Sequence, residues 1–244
     1  MKKSLKIALP IAAAFLIAVG IGLYFASPLL AMRPIETGEI TYAVGSHRAF
    51  ALRSGRGNLF LVDTGNGFLM IDAGASIASV QDGLDQLGID AMQVNWIFLT
   101  HSDYDHVAAL PLFQNAEIYM SKDEIGLLNG TVKRNAFGGN KLPRGIELDS
   151  IILLSDGAKL ELGGITIKCT RAPGHTPGSM VYNVYSDPDF LFTGDAMRCS
   201  KKRGWSVHPF TMDKAQAEES MWALPGAWIT LTSHYGHSPM VLEG

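Results

Sequence analysis

The stretch FLTHSDYDHVAAL, residues Phe98–Leu110, sets two histidines and two aspartates, His101, Asp103, Asp105 and His106, within six positions of one another. The mostly apolar run before them, Val94–Leu99, reads as a buried strand, bounded by polar residues at both ends. A loop at the end of such a strand is where a rigid scaffold mounts chemistry. A single aspartate there would be an ordinary turn former, and a single histidine an ordinary hydrogen-bonded residue. Four ionisable groups together exceed what a turn needs.

Working outward, NLFLVDTGNGFLMIDAG holds two apolar runs, Leu59–Val62 and Phe68–Ile71, around the turn residues DTGNG, which is a hairpin signal. Ala78–Leu87 has helical spacing through Val80, Leu84 and Leu87 and stops at Gly88. Short helices are expected at Val107–Phe113 and Lys122–Leu128, with a strand at Glu117–Met120 between them. Further strands are expected at Ile151–Leu154, Lys159–Leu162, Ile165–Thr170, Met180–Tyr185, Phe190–Thr193 and Trp228–Thr232, with one helix at Asp213–Trp222. Met32–Thr41 reads as a connector. This order lacks the regular βαβ alternation of a doubly wound sheet, so the expected class is α+β: two mixed sheets packed face to face with helices outside.

On that map His175 in APGHTPGSM, Asp195 in FTGDAM and His234 in TSHYG each follow a predicted strand. Imidazoles and carboxylates converging from several strand ends describe a metal site with nitrogen and oxygen ligands. His47, His208 and His237 lack that context and read as ordinary histidines. Trp205, His208, Phe210 and Phe137 read either as a pocket wall or as packing anchors. The polar, glycine-rich segment Asn129–Gly145, with Lys133, Arg134, Lys141 and Arg144, reads equally as a lid that attracts an anion or as a solvated excursion.

A formal net charge of -3, with only a mild basic cluster at Lys201–Arg203, excludes the clustered basic face that nucleic-acid binding requires. The N-terminus is a separate element, residues 1–32, ahead of a domain spanning 33–244. MKKSLK gives a positive flank, and Ile7–Ala26 carries no charge. About 20 apolar residues match a bilayer-spanning helix better than a signal core of about 7–15, and no small-x-small cleavage site stands out. The expectation is a signal anchor with the domain on the extracytoplasmic, periplasmic side, and a cleaved, secreted form as the competing reading. Cys169 and Cys199 form no CxxC knuckle and read as two unpaired, buried thiols.

The hairpin ending in LMIDAG, then THSDYDH, PGHTPGS, FTGD and the terminal SHYG, resembles the metallo-β-lactamase superfamily of metallohydrolases, over essentially Gly38–Gly244. The resemblance implies an αββα sandwich with a binuclear metal centre at the edge of its sheets. It implies that His101, Asp103 and His175 hold one metal, that Asp105, His106 and His234 hold the other, and that Asp195 bridges them. Asp72 matches the hairpin aspartate that supports the ligands from behind.

One position departs from the usual H-x-H-x-D-H: Asp103 stands where the second histidine belongs. A carboxylate lowers the Lewis acidity of its metal and tilts preference toward iron or manganese, so zinc is the expected metal with those two as alternatives. The expected reaction is hydrolysis by a metal-bound hydroxide, with Asp105 orienting the nucleophile and taking its proton. Nothing resembles a nucleophile elbow around Ser179, and the PGHTPGS glycines serve the turn that presents His175. The substrate expected is a small ester, lactone, thioester or β-lactam. Two other classes stand beside this one: a di-iron oxidoreductase on the same scaffold, and a metal-binding sensor domain without turnover.

Overall fold

The structure, a computed structural model, describes residues 31–40, 47–134, 140–186, 189–200, 204–226 and 229–239. The expected N-terminal anchor lies almost wholly outside them, as do Phe137, Lys201–Arg203 and Trp228. Among the described residues no helix is long and apolar enough to cross a membrane.

Two mixed sheets carry the fold. The first runs in spatial order β1 (Gly38–Glu39), β2 (Ala49–Ser54), β3 (Gly57–Asp63), β4 (Phe68–Ile71), β5 (Val94–Leu99), β6 (Glu117–Ser121) and β7 (Ile151–Leu154). Its first four strands pair antiparallel, and β4 to β7 pair parallel. The second contains β8 (Lys159–Leu162), β9 (Ile165–Arg171), β10 (Met180–Tyr185), β11 (Phe190–Gly194), β14 (Ile229–Thr232) and β15 (His237–Pro239), in the order β15-β14-β11-β10-β9-β8. A small hairpin, β12 (Arg198–Ser200) and β13 (Gly204–Ser206), stands apart from both.

Period-two alternation explains the layering. Phe60, Val62, Ile71 and Phe98 of the first sheet pack with Ile167, Tyr182, Phe192 and Leu231 of the second in one apolar cluster. The alternate residues Leu59, Leu61, Met70, Ile97 and Leu99 face outward onto Val80 and Leu84 of the helix Ile77–Leu87 and onto Val107, Leu110 and Phe113. Because both faces are covered, the central strands read as continuous apolar runs. Helix Ile77–Leu87 is capped by Ser76, whose side chain accepts from Ser79 N, and ends at Gly88 in the left-handed region.

The sheets are tied together where chemistry is mounted. Tyr182 donates its hydroxyl to Leu99 O at 2.6 Å, and Met180 N donates to Thr100 O at 2.9 Å. Leu99 at the end of β5 and Thr100, the residue before His101, are thereby fixed to the second sheet.

Several expectations need correction. The helix expected over Val107–Phe113 begins earlier, as one turn at Tyr104–Val107, and is followed by a separate 3-10 turn at Leu110–Leu112 that contains Pro111. Proline lacks the N–H a continuing helix needs, so the apolar run breaks in two. Lys122–Leu128 likewise divides, into a 3-10 turn Lys122–Glu124 and a helical turn Ile125–Leu128. The connector carries edge strand β1, and β2, the β12–β13 hairpin and β15 are additions to the expected set. Cys169 is buried but Cys199 is only partly so.

Candidate metal centre

Five strand ends deliver the site. Asp72 follows β4, His101 follows β5, His175 lies in the turn after β9, Asp195 follows β11 and His234 follows β14. Asp103 occupies the N-cap position of the Tyr104–Val107 turn with an extended backbone, so Asp105 and His106 stand on helical backbone. All seven residues expected from the sequence meet. Nε2 of His101 and of His175 lie 3.3 and 3.4 Å from Asp103 Oδ2, and His175 Nε2 is 3.5 Å from Asp195 Oδ2. His234 Nε2 lies 3.3 Å from Asp105 Oδ2 and 3.4 Å from Asp195 Oδ2, and His106 Nε2 is 3.8 Å from the same Asp195 oxygen. Asp195 thus sits between a His101–His175 group and an Asp105–His106–His234 group. Within each of the groups His101–His175–Asp195 and Asp105–His106–His234 the ligand atoms lie within 4.8 Å of one another.

The surroundings fix which ring nitrogen faces inward. His106 Nδ1 donates to Asp72 Oδ2 at 2.8 Å, and His234 Nδ1 donates to Arg56 O at 2.9 Å, since a carboxylate and a carbonyl can only accept. Thr100 Oγ1 donates to Asp72 and takes a hydrogen bond from His101 Nδ1 at 3.0 Å. Arg134 Nη2 donates to His175 Nε2 at 3.1 Å. In His101, His106 and His234 the Nε2 lone pair therefore points into the site, whereas His175 Nε2 accepts from Arg134 and its buried Nδ1 has no partner. Buried His101 Nε2, His106 Nε2 and Asp195 Oδ1 have no hydrogen-bond partner. Buried lone pairs aimed at one another without a donor are costly unless a cation satisfies them, and ligand histidines are commonly held by their other nitrogen in this way. The residues fit a divalent metal.

Asp72 is the hub of that support. It is the one described non-glycine residue with positive φ, at 63°, and its Oδ1 also accepts from Thr100 N at 2.7 Å. Such a backbone is held only where surroundings over-determine it. Gly194, φ +53°, lets β11 approach this hub, since a Cβ there would lie 2.5 Å from Thr100 Oγ1.

Charge is balanced tightly. Burial opposes ionisation at Asp195 and partial burial does so at Asp105, but the facing histidines win and hold both carboxyls well below the usual range. Burial also opposes protonation of His106, yet Asp72, Asp105 and Asp195 raise it to about 9. Burial dominates at His175, which falls to about 4.

Four residues go beyond the sequence reading. Arg134, one of four cations in the glycine-rich segment, is buried in the site and pairs through Nη1 with both Asp103 oxygens, at 2.9 and 2.8 Å. Asn140 Nδ2 adds a bond to Asp103 Oδ1 at 2.9 Å. Two interior positions of that segment, Arg134 and Asn140, therefore reach the site, whereas Lys133, Lys141 and Arg144 are exposed. Glu124 is fully buried and accepts from Ser102 N, Ser102 Oγ, Thr176 Oγ1 and Gly178 N, joining the His101 loop to the His175 turn. His208, read as an ordinary histidine or a wall residue, is 2% exposed and brings Nε2 to 3.5 Å from Asp195 Oδ2. Only its position in VHPF, between a strand and a helix, could have hinted at this. Trp205, by contrast, lines a separate apolar cleft with Leu191, Met221 and Trp222. Ser179 Oγ accepts from Thr176 N at 2.9 Å and serves the turn.

The sequence profile described as the Metallo-beta-lactamase superfamily matches residues 52–234. A probable polyketide biosynthesis zinc-dependent hydrolase of Bacillus velezensis is 34% identical over 132 residues, which is 53% of this chain and 49% of that one. An atrochrysone carboxyl ACP thioesterase of Emericella nidulans is 27% identical over 150 residues, 61% of this chain and 43% of that one. The chain thus spans about half the length of these curated relatives. Among solved structures, a metallo-β-lactamase with a HARLDQ motif from Cronobacter sakazakii superposes with a TM-score of 0.63 at 18% identity, covering 85% of this chain and 81% of that one. That likeness carries the fold.

Proposed function

The chain belongs to the metallo-β-lactamase superfamily, and from that premise we propose that it is a metal-dependent hydrolase of a small acyl substrate, an ester, thioester, lactone or β-lactam. The observation that carries this reading is the set of inward Nε2 lone pairs of His101, His106 and His234 around Asp195, each of these three rings held through its Nδ1. His101, Asp103 and His175 would hold one divalent ion and Asp105, His106 and His234 the other, with Asp195 shared. Zinc is favoured by the nitrogen-rich ligand set and by the name of the Bacillus relative. When bound, such ions make water acidic near neutral pH and polarise a carbonyl.

The chain's own residues supply the rest. Asp105 is the more exposed of the two inner carboxylates, with 44% of its side chain accessible, so it meets incoming water and takes its proton. Asp195, 5% exposed, stays ionised and keeps the two halves in register. Arg134 offsets the charge of Asp103, the residue on which an iron reading rests, and so preserves the electrophilic character that hydrolysis needs. The named activities of the relatives, a zinc-dependent hydrolase and an acyl thioesterase, favour acyl-transfer substrates. The positive flank and apolar run of residues 1–32 favour action outside the cytoplasmic membrane.

The test is a substrate panel of p-nitrophenyl acetate, an acyl thioester, an acyl lactone and nitrocefin, assayed with zinc-loaded full chain. Turnover of at least one class is expected, falling by about 10²-fold or more in Asp105→Asn. No turnover of any class, or undiminished turnover in the variant, would overturn the reading.

A further inference from the structure

His208 is the one imidazole of the cluster whose ring is set the other way round. It follows β13 on the segment Val207–Met212, which Thr211 Oγ1 closes by donating to His208 O at 2.7 Å. Its Nδ1 accepts from the backbone N–H of Phe210 at 3.3 Å. A backbone amide can only donate, so in the neutral ring the proton lies on Nε2. That nitrogen is buried, makes no hydrogen bond and faces Asp195 Oδ2 at 3.5 Å. The ring stands 4.9 Å from His175 and 5.6 Å from His234, so Nε2 reaches the space between the two ligand groups.

Distance alone would make His208 a metal ligand, because its ligand atom lies within 4.8 Å of those of Asp195 and His234. The hydrogen bonding separates it from the others: His101, His106 and His234 give up their Nδ1 proton to an acceptor and turn a lone pair inward, whereas His208 turns an N–H inward. We propose that His208 is a catalytic hydrogen-bond donor, its Nε2–H presented to the substrate oxygen that becomes negative as the acyl bond is attacked, and not a ligand of the metal. The proton stays on Nε2 throughout, and no covalent bond to the ring forms. At a position as buried as that of His208, 2% exposed, a donor already aimed at developing charge costs no reorganisation when the reaction occurs. The inference rests on the hydrolase reading for its catalytic part and on the ring orientation for its structural part.

Long-range proton–nitrogen correlation spectra of the zinc-loaded, ¹⁵N-histidine-labelled full chain test the structural part without any substrate, with His208→Gln used to assign the resonances. The expected result is a proton on Nε2 of His208 and on Nδ1 of His101, His106 and His234. A proton on His208 Nδ1, or direct coupling of its Nε2 to ¹¹³Cd in the cadmium-loaded protein, would overturn the proposal. In the second arm, His208→Ala retains wild-type metal content by elemental analysis, loses about 10²-fold in kcat with little change in KM, and is partly rescued by His208→Gln, whose amide can donate. Unchanged kcat or loss of a metal equivalent in the alanine variant would equally overturn it. A wild-type chain that hydrolyses nothing in the panel would sink the hydrolase reading and leave the spectra to decide the orientation of His208.

Discussion

Asp72 makes a large part of the ligand geometry from one carboxylate, holding His106 directly and His101 through Thr100. Asp72→Ala frees both rings while leaving every proposed ligand in the chain, and zinc affinity should fall about 10- to 100-fold in a competition titration. His106 sets a pH dependence. Its folded pKa, about 9 against 6.5, means that in metal-free protein its charge contributes stability that is full below about 6.5 and lost as pH rises through about 9. Metal must displace that proton, so affinity should climb over the same window, by up to about tenfold per pH unit for each proton released. Zinc titrations at several pH values check the sign. At this scale the convergence of the candidate residues was largely legible: a dense acidic and histidine run, and further candidate ligands each following a strand, need no tertiary knowledge. His208, Arg134 and Glu124 were not legible, because each sits in a segment whose local pattern is that of an ordinary loop or turn, and only the folded chain brings them to Asp195, Asp103 and Ser102.

Two loops from different sheets have to be held in register, and Glu124 does this from the 3-10 turn after β6, with four donors converging on one buried carboxylate. Glu124→Ala leaves those donors buried and unmatched, and should cost about 3 kcal/mol or more in urea or thermal unfolding. Gly194→Ala tests the close approach of β11 to Thr100: the strained φ and the 2.5 Å contact should destabilise the fold and loosen the Asp72 hub together. Central strands were readable from apolar runs because both their faces are covered. The edge strand β1 and the β12–β13 hairpin were not, since two or three residues of pairing leave no periodicity to detect. The helix carrying Asp105 and His106 is a single turn whose sequence is dictated by ligands, which hides its helical character.

Across the whole domain the proposed ligands come from both sheets, with His101 after β5, held by Asp72 at the end of β4, and His175, Asp195 and His234 after β9, β11 and β14. A cation held there clips the sandwich together at one edge. Stripping metal with a chelator should therefore lower the melting temperature, and zinc should restore it. The central claim is that these side chains gather divalent ions, and elemental analysis of the purified full chain, equilibrated with zinc and dialysed, addresses it most directly. The account predicts two equivalents per chain, reduced in Asp195→Ala; a folded chain that retains no divalent metal at saturation would contradict it.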